Sequence, residues 1–456
     1  MKNRLDDSVQ LVLPPTDPIC GRLSRSGCFP PLGLLSVASE LCARTGIRSE
    51  VLDGEILTVA EIHERLQGRV VGFSPTQVSY GNSLALAAEA KRRGAIVVFG
   101  GHHATALASE ILANRIFVDA VVVGDGEEAF AQLVMGTPFE AIPNLAFRAK
   151  EGRIVRTRQH AEDLDSIAIP DRSLVDNSRY HSNFVRQNPS KGLSKPASLY
   201  TQKGCSWRDL NGGCSFCART DVGWRARSVD SVWREVRLLV EQLEVDYLWE
   251  LSDDVLSDLR WFQELVNRKP ADLNPALLLY ARPARVNDRT ADLLARIGAR
   301  EVFLGVESGD DALLKQAQKG STTYTNRRAA RLLKQRGIRV FPSFVLGLEG
   351  ESRASLVNTR SHVLELLDGG LVDTVAFSTF MPLPGSAGYS RLLQKPIPGA
   401  QWRGIDNPNL REMQETWCRE FCSLELEEIE ELRQELVALV PQASGLVTFR
   451  PTDAVA

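Results

Sequence analysis

Three cysteines lie close together near the middle of the chain. Cys205, Cys214 and Cys217 have the spacing C-x8-C-x2-C and follow a short apolar run that favours a strand. Three thiolates on one loop can hold three irons of a [4Fe–4S] cluster and leave the fourth iron open to an outside ligand. The same thiols with one further ligand could instead hold a structural zinc ion. The spacing alone leaves both kinds of metal site open.

Charged residues of the second half of the chain follow predicted strands. The residues that come after an apolar run are Asp253, Asp254, Arg282, Glu307, Glu349 and Glu351. In a β/α barrel, the chemistry takes place at the C-terminal ends of the strands. We therefore expect these side chains to share one mouth with the cysteine loop.

Six repeats of strand and helix organise residues 196–395. The predicted strands are Ser198–Thr201, Tyr247–Leu251, Ala276–Tyr280, Val302–Gly305, Arg339–Leu346 and Thr374–Thr379. Glycines end two of the intervening helices, at Gly298 and Gly337. A complete barrel of eight repeats usually needs about 250 residues, so this segment predicts a partial (β/α)6 barrel.

Residues 1–140 also alternate between strands and helices. The apolar runs are Val9–Leu13, Val51–Leu52, Val70–Phe73, Ile96–Phe99 and Val118–Val123. This order predicts an α/β domain with a doubly wound parallel sheet, which binds ligands at the carboxyl ends of its strands. The residues that fall at those ends include Ser74, Gly100, Gly101, Thr105, Gly124, Gly126 and Glu127.

Two further segments have weaker patterns. Residues 141–195 contain many turn-forming and charged residues, which predicts a linker between the two domains. Residues 396–456 form a C-terminal region with one predicted helix, Leu424–Leu439.

The composition excludes several classes of protein. The 456 residues include 54 Lys+Arg and 57 Asp+Glu, so the net charge of −3 provides no general attraction to nucleic acid or to acidic membranes. No apolar run reaches the roughly 18 residues of a membrane span, and the N-terminus lacks the apolar stretch of a signal peptide. Eight cysteines are too few for a disulfide scaffold in a chain of this length, which predicts a cytoplasmic protein.

The other cysteines predict no second metal site. Cys418 and Cys422 are four residues apart and would share a helix face, but no other cysteine or histidine is near them in the sequence. We expect both to be buried free thiols. Cys20, Cys28 and Cys42 are also expected to be free.

Several motifs, taken in order, resemble those of the radical S-adenosylmethionine (AdoMet) superfamily, in its group with an N-terminal cobalamin-binding domain. After the cysteines they are Trp224-Arg-Ala-Arg227, Leu251-Ser-Asp-Asp254, Gly305-Val-Glu-Ser-Gly309, Val345-Leu-Gly-Leu-Glu-Gly-Glu351 and Met381-Pro-Leu-Pro-Gly385. The usual cysteine spacing of the family is CxxxCxxC, so the interval between Cys205 and Cys214 is longer here. We expect the extra residues Trp207–Gly213 to bulge out at Gly212 and Gly213.

The resemblance implies a [4Fe–4S] cluster on Cys205, Cys214 and Cys217, with AdoMet bound to its open iron. The residues implied to contact AdoMet are Ser252, Asp253, Asp254, Arg282, Glu307 and Gly347. The first three would meet the methionine part, although either aspartate could instead cap the next helix. Glu307 would accept from the ribose hydroxyls, or else form a salt bridge with a barrel arginine. Arg282 would pair with the AdoMet carboxylate or with Glu307, and the backbone at Gly347 would approach adenine.

The resemblance also implies that the first domain binds cobalamin. The stretches that support it are Pro30-Pro-Leu-Gly33, Val71-Gly-Phe-Ser74, Gly100-Gly-His-His-Ala-Thr105 and Gly124-Asp-Gly-Glu127. No Asp-x-His-x-x-Gly run, which supplies the lower axial histidine of other cobalamin proteins, is present. We therefore expect cobalamin to bind without a histidine on cobalt, and neither His102 nor His103 to be a cobalt ligand.

The function implied first is methyl transfer to an unactivated carbon or phosphorus of a small-molecule or natural-product substrate. A flavodoxin or ferredoxin would supply electrons, and neither nucleic acid nor a membrane is an expected partner. A cyclase or rearrangement enzyme with the same cofactors is the alternative. A methylthiotransferase is disfavoured because the first domain lacks the additional cluster cysteines, and a cobalamin-binding sensor because it has no use for Cys205, Cys214 and Cys217. No residue is assigned to the catalytic chemistry itself.

Overall fold

Two sheets follow each other along the chain. The computed structural model describes residues 8–16, 27–397 and 409–440. Within these ranges no helix is both long enough and apolar enough to cross a membrane.

The first sheet has seven strands in the described residues. They are β1 (Val9–Leu13), β2 (Glu50–Asp53), β3 (Val70–Phe73), β4 (Ile96–Phe99), β5 (Ala120–Val122), β6 (Leu145–Arg148) and β7 (Ile154–Arg156). Their order across the sheet is β2-β1-β3-β4-β5-β6-β7. Strands β1 to β5 are parallel, whereas β6 and β7 pair in antiparallel fashion. The predicted doubly wound parallel sheet is confirmed.

Helices bury both faces of this sheet. They are α1 (Leu32–Thr45), α2 (Val59–Arg65), α3 (Tyr80–Arg92), α4 (Gly101–Ala106), α5 (Ala108–Asn114) and α6 (Glu127–Val134). In β1, Val12 enters the apolar core under α2, α3 and α5, while Val9 and Leu11 enter the core under α1 and α6. A strand that is buried on both faces is mainly apolar, which is why these strands stand out in the sequence. The buried Gln10 of β1 is an exception, and its amide donates to Glu50 and to the carbonyl of Arg65.

The segment expected to be a linker extends the first sheet. Strands β6 and β7 lie within residues 141–195, so the sheet continues to Arg156 rather than ending at residue 140. Leu145 and Phe147 pack on one face and Ala146 on the other. Strand β7 is a three-residue, partly exposed edge strand, and turn-forming residues surround the short run of β6, so neither strand gave a clear apolar signal. Helix α7 (Asn177–Gln187) then leads toward the second sheet.

The second sheet consists of six parallel strands in an open half-barrel. They are β8 (Pro196–Leu199), β11 (Tyr247–Glu250), β12 (Ala276–Ala281), β13 (Ala299–Glu307), β14 (Arg339–Leu346) and β15 (Ala376–Thr379), in the order β15-β14-β13-β12-β11-β8. A two-stranded antiparallel ribbon, β9 (Gln202–Lys203) with β10 (Arg225–Ala226), stands beside it. The predicted partial barrel of six repeats is confirmed.

Helices surround the half-barrel and continue into the C-terminal region. They are α8 (Ser206–Asn211), α9 (Val229–Leu243), α10 (Leu259–Asn267), α11 (Asp288–Ile297), α12 (Asp311–Gln316), α13 (Thr323–Lys334), α14 (Arg353–Asp368), α15 (Ala387–Leu393), α16 (Leu410–Phe421) and α17 (Leu426–Leu439). Trp417 of α16 and Ile429 of α17 belong to the same apolar core as Leu346 and Leu348 at the end of β14. The C-terminal helices are therefore part of the barrel wall.

The carboxyl edges of the two sheets face each other. After β4, Nδ1 of His102 lies 2.8 Å from Oγ1 of Thr220, which follows the cysteine loop. After β5, Asp125 accepts from Lys203 of β9 at 3.2 Å and from Arg225 of β10 at 2.7 Å. Both ligand-binding edges predicted from the sequence therefore open toward the same interdomain space.

Candidate active site

The cysteine loop contains a short helix instead of the expected bulge. Cys205 is the N-cap of α8, and its carbonyl accepts from the backbone N–H of Arg208 at 3.0 Å. Gly212 ends the helix at a φ of 79°, which favours glycine. The backbone N–H of Cys217 then donates to the carbonyl of Cys214 at 3.1 Å, so the last two cysteines lie on one tight turn.

The surroundings of the three thiols fit an iron–sulfur cluster. All three are free and partly exposed, and Cys214 and Cys217 line a cavity of about 300 Å³. Burial raises the pKa of the Cys214 thiol to about 11, against the opposing effect of the Lys319 ammonium. Cations next to sulfur offset the negative charge that thiolate ligands bring to a cluster.

Ser252, Asp253 and Asp254 follow β11 but have different surroundings. Ser252 is buried and donates to Glu250, and its hydroxyl accepts from the backbone N–H of Gln202 at 3.1 Å. Asp254 is also buried and accepts from the backbone N–H of Leu256 at 3.1 Å. These contacts hold the strand end in place.

Asp253 is the member of this run whose carboxylate reaches the cysteine region. It forms an ion pair with Arg219 at 3.1 Å, and its side chain keeps 19% of its surface exposed. Burial raises its pKa, although the Arg219 guanidinium opposes that effect. Neither Asp253 nor Asp254 caps the next helix, because Asp258 supplies the cap of α10.

Glu307 has a strained backbone and a buried cation as partner. Its φ is 68°, and the register of β13 against β14 shifts between Gly305 and Glu307. A non-glycine residue in this region costs roughly 1–3 kcal/mol, and such strain is concentrated at functional sites. Oε1 of Glu307 lies 2.6 Å from Nζ of Lys319, and both side chains are only 8% exposed. The salt bridge foreseen as the alternative role of Glu307 is thus made with a lysine and not with an arginine.

Arg282 lies beside this pair without joining it. Its Nη2 donates to the carbonyl of Lys319 at 2.5 Å, and its guanidinium lies 4.1 Å from the centre of the Trp207 ring. Among the described residues, Nε of Arg282 is buried and has no hydrogen-bond partner. Arg282 therefore retains a donor for a ligand, while its expected pairing with Glu307 is not formed.

Gly347 is packed against the C-terminal helices. A Cβ atom at this position would lie 3.3 Å from Cδ1 of Ile429. The N–H of Gly347 donates to Glu351 at 3.0 Å, and its carbonyl accepts from Nε1 of Trp417 at 2.8 Å. The N–H and the carbonyl of Gly347 thus both have partners within the protein, and the approach of adenine to this backbone stays a prediction.

Three loops at the carboxyl edge of the first sheet touch one another. A Cβ atom at Gly101 would lie 3.0 Å from Oγ of Ser74, and the φ of Gly101 is 86°. Across the next loop, the N–H of Gly124 donates to Oγ1 of Thr105 at 3.0 Å. Next to them, Gly100 continues β4 through a backbone bond to Phe73. The structure therefore brings together the loops expected to carry cobalamin and forms a surface of small side chains.

The two histidines of this edge have separate roles. His102 contacts the barrel side through Thr220 and through Nη1 of Arg219 at 3.1 Å. His103 is buried against the Tyr80 ring, with a centroid distance of 4.7 Å, and burial lowers its pKa to about 4.

Glu127 belongs to an interdomain ion cluster, defined here as Asp125, Glu127, Glu162, Lys203 and Arg225. Its buried carboxylate accepts from Lys203 at 3.1 Å and also from Ser36 at 2.8 Å. Gly126 lies beside it and donates its N–H to the same carboxylate at 3.0 Å. Glu127 therefore joins the two domains, and its expected contact with cobalamin stays a prediction. Burial opposes ionisation of Glu127, but the Lys203 ammonium and the hydrogen bonds from Ser36 and Lys203 together lower its pKa.

Glu162 is the member of this cluster that titrates near neutral pH. Burial and the neighbouring Glu127 carboxylate raise its pKa from 4.5 to about 7. Between pH 4.5 and about 7, Glu162 therefore keeps its proton in the folded chain, whereas it has lost the proton in the unfolded chain. The stability due to that proton is complete below pH 4.5 and is lost as the pH rises through 7.

We expect Glu162→Gln, which cannot ionise, to lose less of its free energy of unfolding than the wild type between about pH 5 and about pH 8. Urea unfolding of the cofactor-free chain at several pH values measures the difference. Glu151→Gln, at an exposed position, is the matched control and should follow the wild type. Parallel curves for Glu162→Gln and wild type would show that Glu162 is already ionised in the folded state.

The sequence did not identify several residues that complete the site. Lys319 and Arg219 are brought to Glu307 and Asp253 by folding, and no motif marks them. Arg225 stood within a motif that supported the family resemblance, but its partner Asp125 lies in the other domain. Pairings across domains leave no local pattern in a sequence.

Comparison with known families agrees with this architecture. The family model described as the B12 binding domain matches residues 20–134, and the model of the Radical SAM superfamily matches residues 199–363. The first match falls on the doubly wound sheet and the second on the half-barrel with its cysteine loop. The chain therefore combines a segment that matches the B12 binding domain with a later segment that matches the Radical SAM superfamily.

Individual relatives cover most of the chain. An uncharacterised methyltransferase of Pyrococcus horikoshii is 26% identical over 396 residues, which are 83% of this chain and 81% of the relative. An anaerobic magnesium-protoporphyrin IX monomethyl ester cyclase of Synechocystis is 28% identical over 361 residues, or 74% of this chain and 69% of the relative. Among solved structures, the radical AdoMet methyltransferase TsrM of Kitasatospora setae, with cobalamin and a [4Fe–4S] cluster bound, superposes with a TM-score of 0.66. That match has 22% identity and covers 87% of this chain and 80% of TsrM, and it supports the fold.

Proposed function

We propose that this protein is a cobalamin-dependent radical AdoMet enzyme that transfers a methyl group to an unactivated carbon or phosphorus of a small-molecule or natural-product substrate. One observation carries the proposal. The cavity beside Cys214 and Cys217 opens at the barrel mouth, and the carboxyl edge of a B12-type sheet contacts the same loop through His102 and Thr220. Two cofactor sites that face each other suit a reaction in which both cofactors act on one substrate.

The three cysteine thiolates would hold the cluster, and the residues around them would tune it. Arg208, Lys319 and Arg282 place positive charge around the sulfurs, where it offsets the charge of the thiolates. When bound, the cluster would supply the electron that cleaves AdoMet, and cobalamin would carry the methyl group.

Residues at the strand ends would bind AdoMet. The Asp253 carboxylate can accept from the AdoMet ammonium group, and Ser252 and Asp254 would hold that strand end in position. The Glu307 carboxylate can accept from the ribose hydroxyls after its bond with Lys319 rearranges. The unpartnered Nε of Arg282 can donate to the AdoMet carboxylate.

Cobalamin would lie on the loops after β3, β4 and β5. Gly100, Gly101 and Gly124 provide a surface with no side chains, on which a large planar group can rest close to the backbone. The Ser74 and Thr105 hydroxyls lie beside these glycines and can donate to polar groups of the cofactor.

We expect His102→Ala to leave the absorption spectrum of bound cobalamin unchanged. Both ring nitrogens of His102 already contact the barrel side, through Thr220 and Arg219, so the ring is not directed at a cobalt ion. The full-length variant should retain cobalamin through gel filtration, as should His63→Ala, a change at a half-exposed position. A shift of the spectrum in His102→Ala alone would identify this residue as a cobalt ligand.

A second candidate function is cyclisation or rearrangement without methyl transfer, because one relative is a protoporphyrin ester cyclase. Anaerobic incubation with AdoMet, cobalamin and a chemical reductant separates the two functions. Methyl transfer should form S-adenosylhomocysteine together with 5′-deoxyadenosine. Formation of 5′-deoxyadenosine alone would favour the cyclase and contradict our proposal.

We also propose a cytoplasmic location and an acidic one-electron carrier, such as flavodoxin or ferredoxin, as the electron donor. A reducing compartment suits cysteines that have to remain thiolates. Reduction of the protein by purified flavodoxin in place of the chemical reductant would test the second proposal.

A further inference from the structure

Helix α8 occupies the lengthened interval between the first two cysteines, and its residues are fixed from two sides. Oδ2 of Asp209 accepts from the backbone N–H of Trp224 at 2.7 Å. Nε1 of Trp207 donates to the carbonyl of Gln318 at 2.9 Å. Arg208 stands between these two anchors, so its backbone has little freedom to move.

The Arg208 side chain is directed at one of the cluster cysteines. Its Nη2 donates to Sγ of Cys217 at 3.3 Å. Gly213 leaves room for the Arg208 side chain, because a Cβ atom at Gly213 would lie 3.2 Å from Cγ of Arg208. The φ of Gly213 is 83°, a conformation that favours glycine. The longer interval between Cys205 and Cys214 thus brings a guanidinium to the sulfur of Cys217.

We propose that Arg208 is a positioning residue that holds the Cys217 sulfur and raises the reduction potential of the cluster that Cys217 would ligate. The inference rests on the proposed function, since it concerns the same cluster. Reduction adds one electron, and the negative charge is shared between iron and sulfur. A charged N–H donor to sulfur stabilises the reduced cluster more than the oxidised one, and hydrogen bonds to sulfur are a known determinant of potential. Arginine keeps its proton at every working pH, so the effect is permanent.

A redox titration of the reconstituted full-length protein tests this role. The cluster is reduced by one electron with dithionite, and the reduced form is followed by electron paramagnetic resonance. In Arg208→Gln, we expect the ratio of reduced to oxidised cluster at a fixed potential to fall about tenfold, which is about 59 mV for a one-electron couple. Arg208→Lys keeps the charge but not the planar donor. The reduction potential of its cluster should therefore lie between those of the wild type and of Arg208→Gln.

Arg391 provides a matched control, because it lines the same cavity but forms an ion pair with Glu349. Arg391→Gln changes the cavity charge and leaves the bond to Cys217 intact, so its potential should stay close to that of the wild type. An equal shift in Arg391→Gln would overturn the proposal, since the charge of the cavity would then be responsible.

If Arg208→Gln does not retain its cluster, Arg208→Lys decides the question. A wild-type potential in every Arg208 variant that holds its iron would overturn the role of Arg208 and leave the proposed function standing. Failure of the wild type itself to take up iron would instead overturn the proposed function.

Discussion

Replacement of Cys205, Cys214 or Cys217 with alanine should abolish the formation of 5′-deoxyadenosine from AdoMet. Each thiolate would hold a different iron, so no remaining ligand can take the place of a missing one. The loss should be complete rather than partial, and the iron content after anaerobic reconstitution should fall with it. Liquid chromatography of the nucleoside products measures the effect.

The matched control is Cys418→Ala. Cys418 is buried among the C-terminal helices, where it belongs to the apolar core. This variant should still form 5′-deoxyadenosine and bind iron. Undiminished cleavage in any variant of the three loop cysteines would contradict the assignment of the cluster ligands.

The second large effect is expected from Glu307→Gln, which should weaken AdoMet binding about 10- to 100-fold. A hydrogen bond of a charged group is worth about 1.5–3 kcal/mol. The loss of one such bond to AdoMet would weaken its binding about 10- to 100-fold. The variant keeps the shape of the side chain and one acceptor, but it leaves the buried Lys319 without a counter-charge. Equilibrium binding of AdoMet to the reconstituted protein measures the affinity, and the iron content should remain near that of the wild type.

Strand β13 offers a matched control at its other end. There, Glu301 pairs with the buried Lys191 at 2.9 Å, far from the mouth of the barrel. Glu301→Gln removes a comparable buried ion pair, so it should lower the free energy of unfolding without changing AdoMet affinity. If Glu307→Gln behaved in the same way, with affinity intact and the fold weakened, Glu307 would be a structural partner of Lys319 only.

Much of the fold could be predicted because its strands are buried. The runs Val9–Leu13, Val70–Phe73 and Ile96–Phe99 coincide with β1, β3 and β4, since helices cover both faces of the sheet and strongly favour apolar residues there. Strand β7 was missed because it is a three-residue edge strand, and the inner strand β6 was missed because turn-forming residues surround its short apolar run.

The candidate site was predictable where its residues follow strands, and unpredictable where distant segments meet. The position of Glu307 at the end of β13 follows from the period of the barrel. Its pairing with Lys319 does not, because the lysine arrives from the segment after α12. Gly126 and Glu127 were assigned to cobalamin from a glycine pattern that also suits a domain interface. The ion pair of Glu127 with Lys203 could not be predicted, because the two residues lie far apart in the sequence.

The metal content of the wild-type protein after anaerobic reconstitution tests the central claim most directly. A [4Fe–4S] cluster on Cys205, Cys214 and Cys217 predicts about four irons and about four acid-labile sulfides per chain. One zinc ion per chain with no uptake of iron would contradict it and would show that the three cysteines form a structural metal site.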